Sequence, residues 1–164
     1  MENRELKEHA VNIRMNIIRE IANAQSGHPG GSLGAADILT ELFFEVMDIN
    51  KDNADTIDRG RFVLSKGHAS PLLYAVLAEK SIIPEEELMT FRKINSKLQG
   101  HPNMNHVTGV DMSTGYLGQE FAAADVMALT NNLEGNRHRI YALPGDGECE
   151  EGEGVARMIQ SFLH

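Results

Sequence analysis

The stretch HRIYALPGDGECEE, residues 138–151, decides how the rest of the chain is read. Weak alternation from His138 to Leu143 predicts a β-strand. Pro144 and the Gly145-Asp146-Gly147 triplet end it abruptly, and a helical pattern resumes from Glu150 to Leu163. Strand, tight turn and helix in that order are the local plan of an α/β phosphate site. Glycines on both sides of Asp146 allow close backbone approach, and a short carboxylate between them suits a hard divalent cation that bridges diphosphate oxygens. An Asp-Gly pair also marks an ordinary turn, so the preceding strand is what favours the site reading. Glu148, Glu150, Glu151 and Glu153 are expected mainly as a solvated face or as favourable charge at a helix N-terminus, with a buried glutamate the exception.

Upstream, Leu6, Ala10, Ile13, Ile17, Ile21 and Ala24 recur at three- and four-residue steps, which predicts an amphipathic helix over 4–25. SGHPGG at 26–31 is too rich in Gly and Pro to continue it. Ser32 is positioned to cap a second helix running to about Met47. After the polar connection 50–60 comes the short apolar run Phe62-Val63-Leu64, then a third helix from Ser70 to about Lys80. Pro84 followed by Glu85, Glu86 and Glu87 reads as another helix opening. Residues 95–118 are irregular and Gly-rich, the kind of long loop that lines a site or a partner surface, and Leu117–Leu133 reads as helical.

Composition closes off several functions. Apolar residues make up 41% and charged residues 24%, the proportions of a folded domain. Twenty-four acidic against fifteen basic side chains give a net charge of −9, which repels a nucleic-acid backbone. No apolar run reaches the roughly 18–20 residues that span a bilayer, and charges throughout the first thirty residues leave no signal-peptide core. The expected location is therefore cytoplasmic, without nucleic-acid or membrane partners. Cys149, the single cysteine, sits among glutamates that disfavour a thiolate and is expected to be reduced and incidental.

His28, His68 and His101 each follow a glycine, and His28 and His101 also precede a proline. A turn therefore presents each imidazole, where it can donate to phosphate or substrate oxygens, the alternative being an ordinary surface or helix-capping histidine. Spacing alone does not bring them together. A three-histidine zinc site competes, but no short-spaced pair such as HExxH supports it, and neither a dinucleotide fingerprint nor a Walker loop is present.

SGHPGGSLGAADILTELFF at 26–44, DRGRFVLSKGHASPLLYAVLAEK at 58–80, FRKINSKLQGHPN at 91–103, STGYLGQ at 113–119 and GDGECEEGE at 145–153 together resemble the N-terminal part of a transketolase. The resemblance is colinear and covers nearly the whole chain. It implies one α/β domain over 1–164, a partial thiamine-diphosphate-binding domain with a mostly parallel sheet and flanking helices, incomplete at its C-terminus. The implied chemistry is transfer of a two-carbon ketol unit between sugar phosphates. Implied catalytic residues are His28, His68 and His101, with His68 also contacting the cofactor phosphate. Gly115 and Leu117 match backbone positions near the aminopyrimidine. Asp146 matches a ligand of Mg²⁺ or Ca²⁺, Gly145 and Gly147 make room beside it, and Glu151 matches a glutamate at the subunit interface.

Departures from the family pattern gather around cofactor and interface. Glu120 and Val126 stand where glycines are usual, Pro144 precedes the GDG triplet, and Val155 and Ala156 replace a Trp and a Glu. The resemblance further implies metal ligands and a pyrimidine-binding domain outside these residues, hence a complementary C-terminal transketolase chain or a homo-oligomer as partner. A catalytically silent binding partner and a dihydroxyacetone synthase-like enzyme are the alternatives.

Overall fold

The computed structural model describes residues 3–116 and 118–152. Helix α1 (Asn3–Ala24) turns Ala10, Ile13 and Ile17 inward and packs on α4 (Ser70–Glu79), which is buried from Ser70 to Ala78. Helix α4 is apolar on all sides because other elements surround it; Leu72, Leu77, Tyr74 and Phe91 are enclosed together with Phe43 of the next layer. Strands β1 (Arg61–Val63) and β2 (Ile140–Ala142) pair in parallel, Phe62 opposite Tyr141. A parallel pair needs a long crossover. Here it runs through α4, a 3₁₀ turn at Glu85–Thr90, the loop region and helix α5 (Gln119–Leu133). Helix α6 (Asp146–Glu150) follows β2 after three residues. The α/β class with a parallel sheet and flanking helices holds, and among the described residues no helix is long and apolar enough to cross a membrane.

Several boundaries differ from expectation for local reasons. The helix expected from Ser32 to Met47 is instead α2 (Pro29–Leu33), α3 (Ala36–Glu41) and a π-type turn at Leu42–Val46. Ser32 is not the cap: it lies within α2 and its hydroxyl donates back to the His28 carbonyl at 2.9 Å. Ala35, at φ −109°, ψ 7°, breaks the run. The segment after Pro84 closes as 3₁₀ instead of α. Helix α5 begins at Gln119, because Gly118 takes φ +81° and sets the entry direction. Helix α6 starts directly at Asp146, not at Glu150, and is interrupted at Glu151, where ψ is 140°; residues 153–163 of the expected helix lie outside the described residues. Pro144 does not disturb the sheet, since the Leu143 amide makes the final bond to the Val63 carbonyl at 2.9 Å and the missing donor falls one residue later.

Two buried carboxylates contrast in how they are compensated. Asp111 meets the Arg59 guanidinium through two bonds, 2.7 and 3.0 Å, and accepts from the Phe62 amide at 2.8 Å. Arg59 also donates to the carbonyls of Asn53, Ala54 and Gly60, so its charge-bearing donors are well used. Glu20, on the inner face of α1, is fully buried with neither carboxylate oxygen hydrogen-bonded. Burial pushes its pKa up to about 10, so it is neutral at pH 7 in the folded chain.

The folded state thus holds a proton that the unfolded chain releases near pH 4.5, and stability falls as pH rises between that value and about 10. The slope approaches about 1.4 kcal/mol per pH unit within that window. Glu20→Leu is expected to remove most of this dependence and to raise stability at pH 7 by about 1–3 kcal/mol, read from urea unfolding at several pH values. An unchanged slope in the variant would contradict the assignment to Glu20.

Candidate active site

The three loop histidines meet. His28 occupies the residue before α2, and its ring centroid stands 5.1 Å from that of His68, which lies in the 3₁₀ turn Gly67–Ala69 leading into α4. His101 approaches from the irregular region: a Cβ placed on Gly67 would come within 2.9 Å of its Cδ2 and would overlap Thr114 Oγ1. One on Gly31 would lie 3.6 Å from His68 Nε2. Gly67 is therefore the point where the loops of His68, His101 and Thr114 close on one another, and no side chain fits there. The segment carrying His101 is tied to α4 by Tyr74 Oη donating to the Gln99 carbonyl (2.8 Å) and Ser70 Oγ donating to the Gly100 carbonyl (2.9 Å). Burial, followed by repulsion from His28, His101 and Lys66, holds the His68 imidazole below its ordinary pKa, and Glu148 offsets part of this. Among the described residues no three His, Cys, Asp or Glu side chains are grouped as a metal site.

The Gly145-Asp146-Gly147 turn lies beside the same loops. The Lys66 amide donates to the Leu143 carbonyl at 3.2 Å, and a Cβ on Gly145 would be 3.6 Å from Lys66 Cβ. Burial lowers the Lys66 pKa, while Asp146 and Glu148 oppose the shift. Lys66 thus brings a cation to the turn, a role that sequence reading missed although the residue stands inside the SKGH segment. Gly147 faces open space, and Asp146 opens α6. Gly115 runs past His101, whose ring is 3.8 Å from where a Cβ would sit. Leu117 lies outside the described residues, and Glu151 is exposed at the end of α6.

Glu148 is the exception foreseen for the glutamate cluster: it is 3% exposed instead of solvated. Glu120 is also buried, one oxygen accepting from the amides of Gly115 and Tyr116, the latter at 2.7 Å, and the other without a partner. Thr114 Oγ1 is a second buried polar atom without a partner along the same loop. Unsatisfied polar groups beside the three imidazoles suit a polar ligand that supplies the missing bonds. Open space at Gly147, the Asp146 carboxylate and the Lys66 ammonium suit a diphosphate with its divalent cation, so these residues fit the cofactor implied by the sequence resemblance.

A family model described as transketolase, thiamine diphosphate binding domain, matches residues 6–160. The chain is 42% identical over 149 residues to the 6-deoxy-6-sulfo-D-fructose transketolase subunit SqwG of Clostridium sp. (strain MSTE9), covering 91% of this chain and 54% of that one. It is 43% identical over 160 residues to transketolase of Homo sapiens, covering 97% and 26%. The crystal structure of transketolase from Campylobacter jejuni superposes with a TM-score of 0.87 at 37% identity, covering all of this chain and 27% of that one. The chain therefore spans about half the length of the SqwG subunit and about a quarter of the length of the two transketolases. With five colinear motifs, three histidines brought together and a match over most of its length, this chain belongs to the transketolase family, in its thiamine-diphosphate-binding domain.

Proposed function

We propose that this chain supplies the diphosphate-binding and sugar-facing half of a transketolase site, in which a two-carbon ketol unit passes between sugar phosphates. The observation that carries the reading is the meeting of His28, His68 and His101 around Gly67, next to the Gly145-Asp146-Gly147 turn. Asp146 would be the side chain that holds a Mg²⁺ or Ca²⁺ ion for the diphosphate, Gly145 and Gly147 would leave room for it, and Lys66 would add positive charge. Gly115 would border the aminopyrimidine, and Glu151, exposed at the end of α6, would face a partner subunit. Bound thiamine diphosphate supplies the electron sink for breaking and making the carbon–carbon bond beside a ketose carbonyl.

The histidines do the protein's share. His28 and His101 donate to hydroxyl and carbonyl oxygens of the ketose. His68, kept below its ordinary pKa by burial and by its cationic neighbours, is neutral at pH 7 and has one ring nitrogen free to accept a proton while the other donates. Remaining cation ligands and a pyrimidine-binding domain would come from sequence other than these 164 residues. Glu120 favours a second reading, a catalytically silent partner, because its carboxylate occupies the Gly115 and Tyr116 amides.

Asp146 needs further oxygen ligands to complete a six-coordinate Mg²⁺ site, so the 164-residue chain alone is expected to bind thiamine diphosphate at millimolar Kd or weaker, about 4 kcal/mol at most. A complementary transketolase chain should tighten binding only with Mg²⁺ or Ca²⁺ present, and Asp146→Ala should abolish most of that gain in calorimetric titration. Tight binding by the lone chain would overturn the division of the site, whereas no gain on complementation would support the silent partner.

In the complemented enzyme, His101→Ala is expected to lower kcat roughly 100-fold with little change in cofactor affinity. His68→Ala should weaken both, since it serves substrate and phosphate. Steady-state rates combined with cofactor titration separate the two, and equal losses in both variants would contradict these roles.

A further inference from the structure

Glu148 is a buried carboxylate to which neither the sequence motifs nor the roles above assign a task. It stands at the third position of α6 and its Oε2 accepts from the Gly145 amide at 2.6 Å, the local half of a capping box. Local capping engages one oxygen and leaves the other to solvent. Here the second oxygen is buried and accepts from two distant segments, Ser65 Oγ at 2.8 Å and the Gly118 amide at 3.1 Å. Three donors from the end of β1, the entry of α5 and the Gly145 turn thus converge on one side chain that is 3% exposed.

We propose that Glu148 is the positioning residue of the diphosphate cradle, a latch that fixes the Asp146 turn against Gly118 and Ser65 so that the cation ligand stands at a set place relative to these two residues. The assignment rests on the reading of Asp146 as a cation ligand. Both oxygens are used, so the side chain must be acceptor-only: a carboxylate serves all three donors, whereas an amide of the same shape turns an NH₂ group towards one of them. Gly118 reaches the carboxylate from a left-handed conformation, φ +81°, which glycine adopts without strain. A surface cap would tolerate glutamine; a three-way latch does not.

The test uses the full chain and its Glu148→Gln variant, with amide exchange and Mn²⁺ as the paramagnetic probe. Exchange at Gly145 or Gly118 should accelerate at least 10-fold in the variant, with amides of α1 and α4 unchanged. In the native chain, Mn²⁺ held at Asp146 should broaden the amides of Gly145, Gly147 and Gly118; in the variant the broadening should persist at Gly145 and Gly147 and be lost at Gly118. Unchanged exchange at both glycines, or equal broadening of Gly118 in both proteins, overturns the latch. No broadening in the native chain overturns Asp146 as a cation ligand and the functional reading with it, while the exchange rates still decide whether Glu148 ties the segments. Should Glu148→Gln not fold, Ser65→Ala removes one donor only. Exchange at Gly118 and Gly145 should then rise together about 3-fold, and no change at either refutes the proposal.

Discussion

Everything at the site depends on β2 returning alongside β1. The Leu143 amide bonds to the Val63 carbonyl and the Lys66 amide to the Leu143 carbonyl, so the last residues of both strands leave the sheet side by side. That juxtaposition puts Ser65-Lys66-Gly67 next to Gly145-Asp146-Gly147 across some eighty residues of sequence. Backbone pairing of three residues per strand is a short ladder to carry this burden. Arg59 and Asp111 reinforce it: Asp111 accepts from the Phe62 amide and anchors the crossover loop to the start of β1. The Phe62 amide, on the strand edge away from β2, is thereby satisfied by a side-chain acceptor where another strand would otherwise offer a carbonyl.

Buried charge is handled in three ways. At Arg59–Asp111 every close partner is hydrogen-bonded, and removing either member would leave an uncompensated charge, typically a loss of about 3–5 kcal/mol. Glu20 has no such partner and takes up a proton instead, the cheaper solution for an isolated carboxyl in an apolar layer. Glu148 and Glu120 use backbone amides of glycine-rich loops, converting loop N–H groups into ligands for internal carboxylates. The last pair lies beside the histidine and GDG loops, Arg59–Asp111 braces the sheet, and Glu20 stands near Tyr74, whose hydroxyl ties down the segment leading to His101.

A bare position at Gly67 lets the histidine loops close on one another. At Gly67 even a methyl group would collide with His101 and Thr114, so the histidine loops approach only because the position is bare. This explains why three imidazoles on separate turns can share one space that no helix stripe would provide.

Sequence by itself determined the α/β class, helices α1 and α4, the strand before the GDG triplet and the family, because periodicity, Gly-Pro punctuation and five ordered motifs are all local patterns. It placed His28, His68, His101 and Asp146 on turns. It misread the 32–47 segment as one helix, since nothing in local propensity announces the break at Ala35 or the π-type turn that lets Phe43 reach the core. Tertiary structure alone decided that the histidines converge, that Lys66 faces Asp146, and that Glu148 is buried while Glu151 is exposed. Neighbouring glutamates have the same propensity and charge. What separates them is whether donors from Ser65 and Gly118 arrive on the same side, and that is set by packing of strands and loops far apart in the chain.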